Sequence, residues 1–432
     1  MKIGLEIHVA LPTESKLFCS CSTEPTEEPN VNICPICMGF PGSKPSLNEE
    51  AIVIAKSIAK TLNCKIRDKI SFVRKVYFYP DLPKSFQITQ LQESIGFDGA
   101  LGIDNEKTIA IRRVQIEEDP AKIIRSENYS LLDFNRSGIP LVEIVTEPDI
   151  QSEDELKSFI FTLKALLYYL GIDIDREIKS DLNISLGKER VEIKNITGTK
   201  NLIEAARYEI DRQTRLINKG MEPVKETRSY DEKERVTKTS REKESDEEYG
   251  YIYEPDLPEY NIENYSIKET IDPIKKAREL SDKYSYSSKT ILEAIAFDRH
   301  ALDLIEKNQD KYHFDSLMQA VTEIKRFKLN EIDDTSLRIL IEEIEGGFQI
   351  DEDTIKSIVK HEKVRHDELE SSRIDEEIRK FIDENPEVLK RYVKNKKLAD
   401  YVAGEIIKRY KSKPKEVLKR TIEILNSMIK QN

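Results

Sequence analysis

The sequence predicts an α+β protein, with a mixed strand-and-helix region over residues 1–271 and an all-helical remainder. Three observations predict it. The opening "KIGLEIHVAL" alternates strictly, so Ile3, Leu5, Ile7, Val9 and Leu11 share one face of a strand. "SEDELKSFIFTLKALLYYLG" carries a capping box at Ser152 and Glu155, an apolar stripe from Leu156 to Leu170, and Gly171 as its stop. From about Asp272 glycine becomes scarce and helical spacing dominates.

In the first strand, Glu6 and His8 fall on the face away from the apolar stripe. "NEEAIVIAKSIAKTLNC" has helical spacing at Ile52, Ala55, Ile58, Ala59 and Leu62 after an Asn48 cap, and puts Cys64 on that helix. "DLNISL" and "RVEIKNI" read as short strands, and "TRSYDEKERVTKTSREKESDEEYG" as polar surface loops around a strand. "SSKTILEAIAFDRHALDLIEKN" and "SLMQAVTEIKRFKL" read as helices. The last sixty residues read as four short helices broken near Pro386, Asn395 and Pro414. No internal repeat is visible.

With 432 residues, 38% hydrophobic and 35% charged, the chain fits two or three soluble domains. No apolar run reaches the 18 residues of a membrane span, and "MKIGLEIHVAL" is too short and acidic for a secretory signal. A cytoplasmic protein is expected. The net charge of −12 conceals an asymmetry. From Arg373 onward there are 16 Lys+Arg against 10 Asp+Glu, whereas residues 1–372 hold 53 against 71. A basic tail on an acidic body fits an anionic partner at the C-terminus; a solvated helical surface is the plainer explanation.

Four of the five cysteines lie in "CSCSTEPTEEPNVNICPIC", as Cys-x-Cys followed by Cys-x-x-Cys. Cys19, Cys21, Cys34 and Cys37 in this turn-rich stretch fit a closed tetrahedral Zn²⁺ site. Four protein thiolates leave no open position, so such a metal would be structural rather than catalytic. Reduced thiols without metal are the alternative. "IEEDPAK" supplies Glu117, Glu118 and Asp119, and "LVEIVTEPD" supplies Glu143, Glu147 and Asp149, both at ends of strand-like segments. With Glu6 and His8 these converge on a hard cation if the strands meet; otherwise they are solvated strand ends. No GxxxxGK[ST] phosphate loop, amidase signature or Ser/His/Asp triad is present.

Eleven segments in order, among them "GLEIHVAL", "SKLFCSC", "NICPICMGFPGSKPSLN", "RKVYFYPDLPKSFQITQ", "IEEDPAK", "DFNRSGIPLVEIVTEPDI" and "YGYIYEPDLP", resemble the B subunits of tRNA-dependent aspartyl/glutamyl amidotransferases (GatB), in their archaeal form. The resemblance is dense over about residues 3–260. It implies a mixed antiparallel-sheet catalytic "cradle" over 1–271, a helical domain over 272–372, and a small helical YqeY-like tail over 373–432 that binds tRNA. It also implies a carbon–nitrogen ligase using glutamine as amido donor. In such enzymes the side-chain carboxylate of Glu-tRNA(Gln) or Asp-tRNA(Asn) is phosphorylated by ATP. Ammonia is released by a partner glutaminase, the A subunit of a complex that also holds a small C subunit, and then displaces phosphate.

Carried over by motif, Glu6, His8, Glu118 and Glu143 correspond to the Mg²⁺ positions, with Lys75 and Arg74 facing phosphate. Alternation in "VQIEED" places Glu118 in phase with Val114 and Ile116, which makes Glu117 the substitute unless a bulge or the strand's end turns Glu118 outward. Expected tRNA phosphate contacts are Lys390, Arg391, Lys394, Lys396, Lys397, Lys408, Arg409, Lys411, Lys413 and Lys415. The chain departs from other members at Val76, Gln115, Pro120–Ala121, Gly250 and Ile252–Tyr253, where they carry Asn, His, Ala-Gly, Arg and Phe-Pro. The rival readings are a Glu-specific archaeal paralogue (GatE-like) and a non-catalytic zinc-stabilised tRNA-binding scaffold.

Overall fold

The computed structural model describes residues 1–103, 107–126, 128–172, 178–241, 250–295, 299–329, 332–348, 350–362, 371–392, 398–410 and 414–431. Its strands are β1 (Lys2–Ala10), β2 (Lys65–Ile66), β3 (Lys69–Ile70), β4 (Val73–Val76), β5 (Phe86–Thr89), β6 (Gly96–Gly102), β7 (Thr108–Glu118), β8 (Lys122–Arg125), β9 (Ser130–Asp133), β10 (Pro140–Thr146), β11 (Lys179–Ser185), β12 (Val191–Thr197), β13 (Glu226–Asp231), β14 (Val236–Arg241), β15 (Gly250–Tyr253) and β16 (Tyr260–Asn261). Interspersed are α1 (Glu49–Thr61), α2 (Glu153–Tyr169) and α3 (Thr199–Asn218).

Among the described residues, nine strands form one sheet in the order β14-β13-β12-β11-β1-β10-β7-β6-β2. Every pairing in it is antiparallel except β12 with β13. The strand that opens the chain thus lies at the centre, between β10 and β11. Its apolar face joins the main core, where Ile3, Leu5, Ile7, Val142, Ile144, Leu182 and Ile184 are buried with apolar residues of α1, α2 and α3.

The helix ends follow the expected chemistry. Asn48 accepts from the backbone of Glu50 and Ala51, Ser152 accepts from Glu155, and Gly171 stops α2 at φ +83°. Two expectations are corrected. Helix α1 ends at Thr61 with Leu62 as its cap, so the buried Cys64 follows the helix rather than sitting on it. The polar stretch after Glu226 makes two strands, β13 and β14, that extend the sheet rather than loops around one.

A small sheet, β15-β4-β5, carries Arg74 and Lys75. Strand β5 lies along the end of β7: Gln87 donates to the Glu118 carbonyl at 2.8 Å, and the Ile88 amide donates to the Glu118 carboxylate at 2.8 Å.

The chain divides into two compact units at Glu279/Leu280, inside α4 (Pro273–Tyr284). The second unit is helical: α5 (Ser288–Ile295), α6 (Arg299–Asn308), α7 (Phe314–Arg326), α8 (Asp334–Glu345), α9 (Glu352–Val359), α10 (Ser371–Glu384), α11 (Glu387–Tyr392), α12 (Leu398–Tyr410) and α13 (Pro414–Gln431). One apolar cluster there draws on α7, α8 and α9, and another on α10 to α13. Among the described residues no helix is long and apolar enough to cross a membrane.

Candidate active site

The site begins with strand alternation. Side chains that leave the core face of β1 are Glu6 and His8. In register, His8 lies opposite Glu143 of β10 and Glu6 opposite Asp181 of β11. Glu143 in turn lies opposite Gln115 of β7, and Leu141 opposite Glu117. Because β7, β10, β1, β11 and β12 are adjacent, one sheet face gathers Glu117, Glu143, His8, Glu6, Asp181 and Glu192.

They form two groups. The ligating atoms of His8, Glu117 and Glu143 lie within 4.8 Å of one another, as do those of Glu6, Asp181 and Glu192. His8 Nε2 is 3.3 Å from Glu117. Gln115 donates to Glu143 at 2.5 Å, Arg113 approaches the other oxygen of Glu143 at 3.4 Å, and Thr89 donates to Glu117 at 3.3 Å.

The electrostatics follow from crowding. Burial works against the His8 imidazolium, but the hydrogen bond to Glu117 and the charges of Glu117, Glu143 and Asp181 prevail and push it up to about 9. Burial, then the charge of Glu117, pushes the Glu143 carboxyl up to about 6. Burial raises Glu117, yet His8 and the nearby charge of Lys75 hold it below the ordinary carboxylate range. Glu6 is raised by burial and by Asp181 and Glu192, against Lys194. Carboxylates so arranged favour a bound cation over their own protons.

Glu118 stands apart from this cluster. No bulge interrupts the β7–β10 pairing at that end, so Glu118 follows Val114 and Ile116 to the opposite face. There it pairs with Lys84 at 2.6 Å, both side chains nearly buried. Arg74 is also tied down, donating twice to the buried Glu254 at 2.8 Å, with its guanidinium 4.4 Å from the Phe86 ring centre. Lys75, adjacent on β4 and so on the other face, adds to His8 a second positive charge that lowers Glu117. Asp181 and Glu192 were not singled out from the sequence, and Gln115 only as a departure from other members. For Asp181 and Glu192 part of the signal was available: in "SDLNIS" and "VEIKN" the polar partners of alternating Leu182, Ile184, Val191 and Ile193 share one side, though alternation does not say which strand they meet.

The sulfurs of Cys19, Cys21, Cys34 and Cys37 lie within 4.8 Å of one another, and none forms a disulfide. Zinc–sulfur bonds of about 2.3 Å in a tetrahedron put sulfurs about 3.8 Å apart, so this donor set fits zinc with little movement. The Cys19 hydrogen bond, a backbone amide and the charge of Lys16 hold Cys37 down to about 5 against burial, while burial and the Cys34 hydrogen bond push Cys21 up to about 11. Of the tail residues, Arg391 is exposed near the end of α11. Lys394, Lys396, Lys397, Lys411 and Lys413 lie outside the described residues, as do the side chains of Lys390, Lys408, Arg409 and Lys415.

Residues 1–268 match the GatB/GatE catalytic domain. The chain is 34% identical to the aspartyl/glutamyl-tRNA(Asn/Gln) amidotransferase B subunit of Sulfurisphaera tokodaii, over 95% of each chain. It is 36% identical to that of Persephonella marina, over 98% of each. With the Methanoregula boonei protein of the same name the identity is 44%, over 61% of this chain and 58% of the other, so in that comparison the chain spans under two thirds of its relative. A catalytic-domain match over more than half of its length, with relatives similar from end to end, shows that this chain belongs to the family of aspartyl/glutamyl-tRNA(Asn/Gln) amidotransferase B subunits.

Proposed function

We propose that this chain activates and amidates the side-chain carboxylate of a mischarged aminoacyl-tRNA, Glu-tRNA(Gln), Asp-tRNA(Asn) or both, as one member of a cytoplasmic complex. Its partners would be a glutaminase subunit together with a small third subunit. The observation that carries the reading is the convergence of His8, Glu117 and Glu143 from three adjacent strands, with Glu6, Asp181 and Glu192 beside them.

A carboxylate does not accept ammonia directly, because oxide is a poor leaving group. Transfer of the γ-phosphoryl group of ATP to a carboxylate oxygen, with release of ADP, gives an acyl phosphate. Ammonia then attacks the carbonyl carbon, and phosphate departs with the C–O bond. The protein's part is positioning and charge. His8, Glu117 and Glu143 would hold Mg²⁺, which when bound neutralises phosphate oxygens. Gln115 and Arg113 fix the Glu143 carboxylate. Lys75 supplies a cation beside Glu117 for phosphate or acyl oxygens. Where Glu117 and Glu143 alone hold the metal, the neutral His8 imidazole is instead placed to take the proton that attacking ammonia loses. The four cysteines would hold zinc outside this chemistry.

The test is amidation of each mischarged tRNA by the reconstituted complex, with ATP and glutamine varied separately. Glu117→Ala and Glu143→Ala are expected to abolish amidation while the partner still hydrolyses glutamine. Unchanged amidation in both variants would mean that the chain is a scaffold.

A further inference from the structure

Lys16 has no exposed surface. Its ammonium donates to the carbonyls of Asn32 at 2.8 Å and Phe134 at 3.2 Å, and lies 3.8 Å from Cys37 Sγ. Among the described residues no carboxylate pairs with it. Asp119 is engaged by Arg136 and Lys179, and Glu118 by Lys84. A buried ammonium is costly without an anion, and two carbonyl dipoles offset only part of that cost. The remaining anion is the cysteine cluster. Four thiolates around one Zn²⁺ carry two net negative charges, so each buried charge answers the other.

The same lysine bridges two parts of the chain. Its stem runs past Gly138, where a side chain's Cβ would come 3.4 Å from Lys16 Cδ and the backbone is left-handed at φ +89°. The Leu17 amide donates to the Gly138 carbonyl at 2.8 Å, and the Asn32 amide to the Asn135 side chain at 2.8 Å. The Gly138 amide donates to the Asp119 carbonyl at 2.8 Å, and the Asp119 amide to that of Ile139 at 2.9 Å. This turn leads into β10, whose Leu141 lies opposite Glu117 and whose Glu143 lies opposite His8.

We infer that Lys16 is the fixed counter-charge of the cysteine metal site, and the joint through which metal occupancy holds the Phe134–Ile139 turn and the Glu117–Glu143 end of the cleft. This rests on reading the four cysteines as a zinc site, and that reading is measured first: full-length protein that binds no zinc on reconstitution overturns both. If zinc is bound, Lys16→Met, which keeps the stem and drops the charge, is expected to lose it to a chromogenic chelator roughly ten- to a hundredfold faster. In the Co²⁺-substituted protein the thiolate-to-cobalt charge-transfer band is expected to shift in Lys16→Met and to return towards wild type in Lys16→Arg. A second arm keeps the native sequence. Stripping zinc from wild-type protein should raise hydrogen exchange at the Gly138 and Ile139 amides, and this arm decides if Lys16→Met does not fold. Zinc held by Lys16→Met at the wild-type rate with an unshifted band, or stripping with unchanged exchange at 138–139, overturns the inference while leaving the zinc reading and amidation intact.

Discussion

Adjacent carboxylates on β7 have opposite surroundings. Glu117 faces the polar cluster, whereas Glu118 answers the buried Lys84. Their amides should therefore fail differently. Glu117→Gln is expected to lose amidation and to cost less stability than the change at Glu118, because His8 can give up its proton when its main anion is gone, whereas Lys84 stays charged. Glu118→Gln leaves a nearly buried ammonium without its anion and should cost about 3 kcal/mol, read as a lower urea midpoint. Equal loss of stability in both variants would refute the division. His8 adds a pH signature. Its folded value, about 9, lies above the ordinary 6.5, so the stability it contributes is complete below pH 6.5 and is lost as pH rises through 9. In buffer without added divalent cations the wild-type stability read from urea unfolding should fall between pH 6.5 and 9.5, by about 3 kcal/mol at most, and His8→Gln should flatten that slope. Added Mg²⁺ should compete with the proton and lower the histidine's value by NMR titration.

At the scale of elements, β1, α1 and α2 were legible because each displays its period and its caps in sequence. The strands β13 and β14 were not, and the reason is physical. Their buried residues include Thr227, Arg228 and Thr237, all polar or charged, so no apolar alternation marks them. Glu209 of α3, fully buried, takes the place of a core. It accepts from Arg212 at 2.7 Å, Gln213 at 2.8 Å and Thr237 at 3.0 Å, and lies 3.5 Å from Arg228. Glu209→Ala should accordingly loosen this edge, at a cost of about 3–5 kcal/mol in overall stability, with hydrogen exchange rising first in β13 and β14. Exchange unchanged there would show that strand pairing alone holds the edge. The candidate site was half legible for a related reason. Glu6, His8 and Glu143 stand in recognisable motifs, and alternation correctly separated Glu117 from Glu118. Asp181 and Glu192 needed the strand order, because only pairing of β11 with β1 brings residues so distant in sequence to Glu6.

Across the whole molecule, charge divides as the proposed function requires. Residues 1–372 carry 53 Lys+Arg against 71 Asp+Glu, and the tail 16 against 10. The acidic part repels a nucleic acid at long range, so a tRNA body needs a basic surface elsewhere to hold it. Among the described residues the buried apolar cluster of the tail runs from Ile374 to Leu425, while that of α7 to α9 lies within residues 317–358. Deleting 373–432 should therefore leave the sheet unit folded and glutamine hydrolysis by the partner intact. It should weaken tRNA binding by tenfold or more near physiological salt, because several phosphate contacts are lost together. The discriminating readout is the slope of log affinity against log salt. Loss of phosphate contacts makes that slope shallower by about one unit for each contact removed, whereas loss of shape contacts alone leaves it unchanged. A truncated chain with wild-type affinity and wild-type slope would place the tRNA on the acidic body, and the tail would be a solvated helical surface.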